Sequence, residues 1–414
     1  MAKIAPGVVT TAALLLRTGL QAGTFLLVAR VFGPEDYGQF VAIVCIGILV
    51  APMVTMGGEY VVLARISTGR ATAAQIAGSA LGVLLALSFP ACGVALFYAM
   101  HAVAGLGDWR PTLLILLAEI CFVPWLEIAW RAYQADERVL AMGALRVMPA
   151  FLKFVAASAF AAGSFEVTLG AWAFAYFLAT AGGALLAALK VRLDFGTAAP
   201  TWSAIRATLR DGWPFAIYSL AERATSDVDK LILAATTLPR TVGMYGASYR
   251  IVELFVVPAV AALMSATPSL YRHGATGVVA LGAQLRRLSG AMTCYGLLAA
   301  VVMIAASDLV AFVLGERYAD CSAMVRALAL LPLGYGLRTT LGIGLAALGR
   351  PLERMIVQVC VSCAAVLGCA VAIPRFGWIG AAQVSVALEF IAAAALAARL
   401  CFLVRRGSSA PVRA

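Results

Sequence analysis

Apolar runs of roughly twenty residues, the length that crosses a hydrocarbon layer as a helix, recur along the whole of this chain and constrain its fold more than any other feature. Reading between charged residues and Gly/Pro breaks gives twelve, at 8–31, 38–59, 75–100, 112–133, 142–163, 168–190, 213–237, 243–268, 287–307, 324–348, 352–373 and 377–403. A soluble domain is about half apolar and a quarter charged. Here 63% of 414 residues are hydrophobic and 12% charged. Lipid must solvate much of that surface, so the sequence predicts an all-α polytopic membrane protein of about twelve spans. The first run carries Arg17 and is too long for a signal core, so it is read as a span.

Charge placement sets the expected orientation. With the N-terminus inside, 19 Lys and Arg fall on the cytoplasmic side and six outside, with six more inside spans. The positive-inside rule then gives cytoplasmic N- and C-termini. The net charge of +11 follows from that asymmetry. It points to contact with anionic phospholipids and away from nucleic acid, which needs a clustered basic domain. Nine Cys and two His offer little for metal chemistry, and the lone Cys360-x-x-Cys363 lacks a partner pair. No metal site, cofactor or catalytic residue is expected.

No loop is long enough to be a domain. The expected organisation is a six-helix lobe at 1–190, a cytoplasmic linker at 191–212, a second six-helix lobe at 213–403 and a basic tail at 404–414. Within the linker Trp202, Ile205 and Leu209 share a face, as in a short amphipathic helix lying on the membrane surface. The two lobes read as copies. Pro34, Gly38, Phe40 and Ala42 recur 205 positions later as Pro239, Gly243, Tyr245 and Ala247, and Gly170-Ala171 recurs as Gly380-Ala381. Six spans per copy makes the repeat parallel, a transporter-like arrangement.

An ionised side chain at mid-bilayer costs about 2.5–3.5 kcal/mol on insertion scales, so those present should face a cavity or a partner. Thr10, Arg17, Gln21 and Thr24 form one polar stripe on the first span. On the seventh, Arg223, Asp227 and Lys230 share a face, while Ser219, Glu222, Ser226 and Asp229 share another. Three pairs are spaced to neutralise themselves: Arg223 with Asp227, Arg250 with Glu253, and Glu127 with Arg131. Arg17 has no acid on its stripe and Arg338 none nearby in sequence. Lys153, near a span end, is placed to snorkel. Trp125, Trp130, Tyr133 and Trp172 fit an interfacial belt better than sugar stacking. Of the two aspartates, Asp229 is expected to lack cationic support and to protonate more readily than Asp227.

The segment Ala29-Arg30-Val31-Phe32-Gly33-Pro34-Glu35-Asp36-Tyr37-Gly38-Gln39-Phe40 resembles the signature after the first helix of polysaccharide transporters. These are the Wzx-like flippases of the multidrug/oligosaccharidyl-lipid/polysaccharide (MOP) exporter superfamily. Asp229-Lys230-Leu231-Ile232-Leu233 with Val242-Gly243-Met244-Tyr245, Leu314-Gly315-Glu316-Arg317-Tyr318 and Gly377-Trp378-Ile379-Gly380-Ala381-Ala382 also resemble that family. Phe32 stands where the family usually has Leu. The resemblance implies two lobes around a central cavity in the bacterial inner membrane. It implies transport of an undecaprenyl-pyrophosphate-linked oligosaccharide, with polysaccharide polymerase and other assembly proteins as partners. On this reading Arg17, Gln21, Lys153, Arg223, Arg250 and Arg338 bind substrate, and Glu222, Asp227 and Asp229 serve coupling to H+, Na+ or the membrane potential. A cation or drug antiporter of the same superfamily and a membrane glycan polymerase or ligase are the alternatives.

Overall fold

The computed structural model describes residues 6–69, 72–196 and 200–405. Lys3, Arg70, and Arg406 and Arg413 of the basic tail, four of the 19 Lys and Arg expected on the cytoplasmic side, lie outside these. Among the described residues there is no strand. The helices are α1 (Pro6–Thr55), α2 (Gly58–Ser67), α3 (Ala73–Ala102), α4 (Trp109–Leu117), α5 (Val123–Ala135), α6 (Val139–Ala161), α7 (Leu169–Phe195) and α8 (Trp202–Thr236). They continue as α9 (Pro239–Thr276), α10 (Val278–Ala305), α11 (Leu309–Leu314), α12 (Cys321–Leu328), α13 (Leu331–Ala347), α14 (Pro351–Phe376) and α15 (Trp378–Arg405). A π-helical turn, Ala118–Phe122, joins α4 to α5 within one span.

Ten helical stretches are long and apolar enough to cross a membrane. Two features reconcile ten with twelve. First, α1 counts once although its 50 residues would extend about 75 Å, far more than one crossing needs. Gly33, at φ 78° and ψ 175°, divides it into 6–32 and 34–55. Only glycine takes that conformation readily, and Pro34 then restarts the helix at its first position. Second, α8 falls short on hydropathy because it carries Glu222, Arg223, Asp227, Asp229 and Lys230. Counting α1 twice and adding α8 accounts for twelve.

The chain forms two compact units. One comprises Met1–Arg223 with Thr237–Gly243, the other Ala224–Thr236 with Met244–Ala414. In the N-terminal unit α1 packs chiefly on α6, and α2 on α5. Its core is aromatic at one end, where Trp172 lies within 6.0 Å, centroid to centroid, of Phe32, Phe40, Phe160 and Tyr176. In the C-terminal unit α13 and α15 pack together, with α10 and α14 beside them. Large apolar side chains such as Phe89, Phe97, Leu185 and Phe312 stay exposed in both units, as expected when lipid is the outer solvent.

The amphipathic segment at 202–209 is not a separate element, for it forms the first turns of α8, which runs unbroken to Thr236. It docks on the N-terminal unit. Thr208, fully buried, meets Ser79 of α3 at 3.3 Å, and Arg65 of α2 pairs with Asp211 at 2.5 Å. The Arg65 guanidinium, then that of Arg210, holds the Asp211 carboxyl below its ordinary value.

Candidate functional site

A basic cluster lined by aromatic rings lies in the N-terminal unit. Glu127, Trp130 and Arg131 of α5 stand at i, i+3 and i+4, hence on one face. The guanidinium carbons of Arg131 and of Arg146 on α6 lie 4.2 and 4.5 Å from the Trp130 ring centroid. Arg131 also lies 5.4 Å from the ring of Tyr60 on α2, which stacks on Phe215. Arg17 of α1 completes the group, near enough to Arg146 for mutual repulsion, as is Arg131.

Acids do not quench these charges directly. Glu127 is the one carboxylate shown to act electrostatically on Arg146, yet its Oε2 accepts a hydrogen bond from Trp130 Nε1 at 3.0 Å. Arg131 donates to Gln134 instead, also at 3.0 Å. Among the described residues no ion pair joins Arg17, Arg131 or Arg146 to a carboxylate, and the buried Nε groups of Arg131 and Arg146 have no hydrogen-bond partner. Glu59, with a buried and unpartnered Oε2, and Arg223 flank the group with one charge of each sign. The cluster therefore holds more positive than negative charge, with guanidinium edges unused. Such an arrangement suits a phosphate oxyanion.

Several other intramembrane charges pair with one another. In the N-terminal unit Glu119, on the π-helical turn, accepts a very short hydrogen bond from Tyr176 and lies 3.9 Å from Lys153, whose ammonium stands 3.8 Å from the Tyr176 ring. In the C-terminal unit Asp229 is buried, and its Oδ2 accepts from Tyr245 at 2.8 Å and Ser385 at 3.0 Å. Lys230 Nζ lies 3.4 Å from Asp229, 3.2 Å from Asp227 and 3.5 Å from the Tyr249 ring centre. Arg338 pairs with Glu389 at 2.6 Å and donates to Gln358, which in turn donates to Thr225.

Residues 6–272 match the family described as polysaccharide biosynthesis protein. The chain belongs to that family. Against curated proteins no sequence match is found. Solved structures share the fold of this chain. An inward-facing multidrug resistance MATE family transporter of the MOP superfamily superposes with a TM-score of 0.72 at 14% identity, covering 99% of this chain and 98% of that one. The lipid II flippase MurJ, in an inward closed conformation, gives 0.75 at 13% identity, covering 96% and 87%. A MOP superfamily transporter from Pyrococcus furiosus gives 0.58 at 14%, covering 96% and 94%. The protein is thus an all-helical membrane protein with the MOP transporter fold.

Several expectations from the sequence need correction. Arg338 is not isolated, because Glu389 reaches it from α15, and Lys153 meets Glu119 instead of snorkelling. Asp229 does not lack cationic support, since Lys230 turns back onto it; its two carboxylate oxygens together accept from Tyr245, Ser385 and the Lys230 backbone N–H. Glu222, expected on its face, is exposed. Glu127 and Arg131 do not neutralise each other by direct pairing, whereas Arg250 and Glu253 do, at 2.8 Å on a half-exposed surface. Trp125, Trp130, Tyr133 and Trp172 are at most 7% exposed, so they pack inside and form no interfacial belt. Gln21 is exposed on the stripe that carries Arg17. Sequence reasoning left Arg131 and Arg146 out of the candidate site because their nearness to the span ends put both among the cytoplasmic charges, and Arg131 was read as neutralised by Glu127. The run Glu127-x-x-Trp130-Arg131 was the available signal.

Proposed function

We propose that this protein is a flippase that moves an undecaprenyl-pyrophosphate-linked oligosaccharide from the inner to the outer leaflet of the bacterial inner membrane by alternating access. The observation that carries the reading is the Arg17, Arg131 and Arg146 cluster, whose guanidinium edges no carboxylate occupies. Membership of a polysaccharide biosynthesis family supports it, as does a fold shared with a protein described as a lipid II flippase. With both termini cytoplasmic, the turn between α5 and α6 faces the cytoplasm. Arg131 then sits about 6 Å and Arg146 about 10 Å from that end of their helices, at 1.5 Å per residue. This is the depth of inner-leaflet headgroups, where the pyrophosphate of such a lipid lies. Surplus positive charge disfavours the cation or drug antiporter. The protein supplies charge and shape to the carried lipid and no reacting group, so a polymerase or ligase activity is not part of the proposal.

The test is transport in proteoliposomes of a labelled polyprenyl-diphosphate sugar, read as loss of protection from a membrane-impermeant reagent. Wild type should move the probe, and Arg146→Ala should lose at least about tenfold, the worth of one charge-assisted contact. Wild type that moves organic cations and not the lipid would overturn the proposal.

A further inference from the structure

Glu127 poses a physical puzzle. A carboxylate within electrostatic range of Arg146, four residues before Arg131 on the same helix face, should bridge a guanidinium directly. It does not, because Trp130 Nε1 tethers it at 3.0 Å. Trp130 is itself pinned, 7% exposed, with a guanidinium near its ring from each of Arg131 and Arg146. Its ring carries the arginines while its N–H holds off their nearest acid.

We propose that Glu127 is a resident counter-anion that weakens this site's grip on phosphate, and that Trp130 is the positioning residue that stops Glu127 from occupying the arginines itself. The inference rests on the reading of the cluster as a phosphate site. A carrier must release what it binds, and three guanidiniums in a low-dielectric setting would hold a diphosphate too long. A tethered carboxylate lowers the local potential for every bound anion while leaving the guanidinium edges available. Glu127 thus trades affinity for release, and the tether keeps the trade from going too far.

The two residues predict opposite effects. Glu127→Gln should tighten binding by about tenfold and slow transport, since release becomes limiting. Trp130→Phe keeps a ring for the arginines but removes the donor. Glu127 is then released onto a guanidinium, and binding should weaken by a similar factor. In the double variant Glu127→Gln with Trp130→Phe, the weakening should vanish, because no carboxylate remains to be released.

The measurement is equilibrium binding to the full chain in nanodiscs with two probes, inorganic pyrophosphate and a polyprenyl diphosphate, and thermal midpoints report folding. Glu127→Gln that binds pyrophosphate equally or more weakly would overturn the inference. So would Trp130→Phe at wild-type affinity, or a weakening that persists in the double variant. If inorganic pyrophosphate follows the expected pattern but the polyprenyl probe is not bound, the inference stands and the lipid-substrate reading falls. Wild type that binds neither probe overturns both. Should Trp130→Phe fail to fold, the Glu127→Gln arm decides alone.

Discussion

Arg17 lies well inside a span without an ion-paired acid among the described residues, a placement expensive enough to imply a use. Arg17→Ala should therefore leave the protein inserted and folded while abolishing polymer export, measured as surface polysaccharide against membrane protein level. Arg17→Lys should restore only part of the activity, because an ammonium lacks the planar fork that matches a phosphate. Asp229 calls for a different experiment. Its carboxylate is enclosed by Lys230, Tyr245 and Ser385, so Asp229→Ala leaves an ammonium short of a partner and should cost about 3–5 kcal/mol. The 19% exposed Asp227 should cost less. Thermal unfolding in detergent orders the two, and equal midpoints would contradict the role assigned to Asp229. With Lys230 already lodged between the carboxylates, we expect neither variant to alter the sodium dependence of transport.

At the scale of elements, the sequence showed the breaks between spans better than the contacts across them. The turn at Gly33-Pro34 was legible because backbone conformation is local to those residues. The charge-rich α8 was legible as a span despite its low hydropathy, since its polar residues repeat at helical spacing. Partners that come from distant helices were not legible. Glu389 reaches Arg338 and Ser385 reaches Asp229 only after α15 packs, and a single sequence carries no record of that distance. Hidden for the same reason, the bridge from Arg65 on α2 to Asp211 on α8 gives a pH test. Asp211 is held below its ordinary carboxyl value of 3.8, so the unfolded chain takes up the proton first as pH falls. The stabilisation is complete above that value and is lost as pH falls through the folded pKa. Asp211→Asn should flatten the fall of thermal midpoint below about pH 4 by a small amount, because the side chain is 39% exposed and well screened.

For the whole molecule, orientation is the property to establish first. Single cysteines at Asp36 and Arg240 should react with an impermeant reagent applied outside intact spheroplasts, and one at Arg206, exposed near the start of α8, should not. Labelling at 206 would reverse the proposed topology. The internal repeat, read first from Pro34, Gly38, Pro239 and Gly243, has a physical counterpart within the N-terminal unit. A Cβ built on Gly38 would run into the carbonyl oxygen of Pro239, and one on Gly243 into that of Pro34, each far inside van der Waals contact. Gly38→Ala or Gly243→Ala should each cost about 1–3 kcal/mol from overpacking, read from thermal midpoints.

That reciprocity bears on how such a chain can evolve. A clash between two side chains can be relieved by shrinking the other partner, which lets paired positions drift together. Here each intruding methyl would meet main chain, and main chain is common to all twenty amino acids. No second-site replacement at the opposing proline or glycine removes the carbonyl that is struck. The two copies of this motif are therefore tied to one ancestral solution, whatever changes accumulate elsewhere in the halves that carry them.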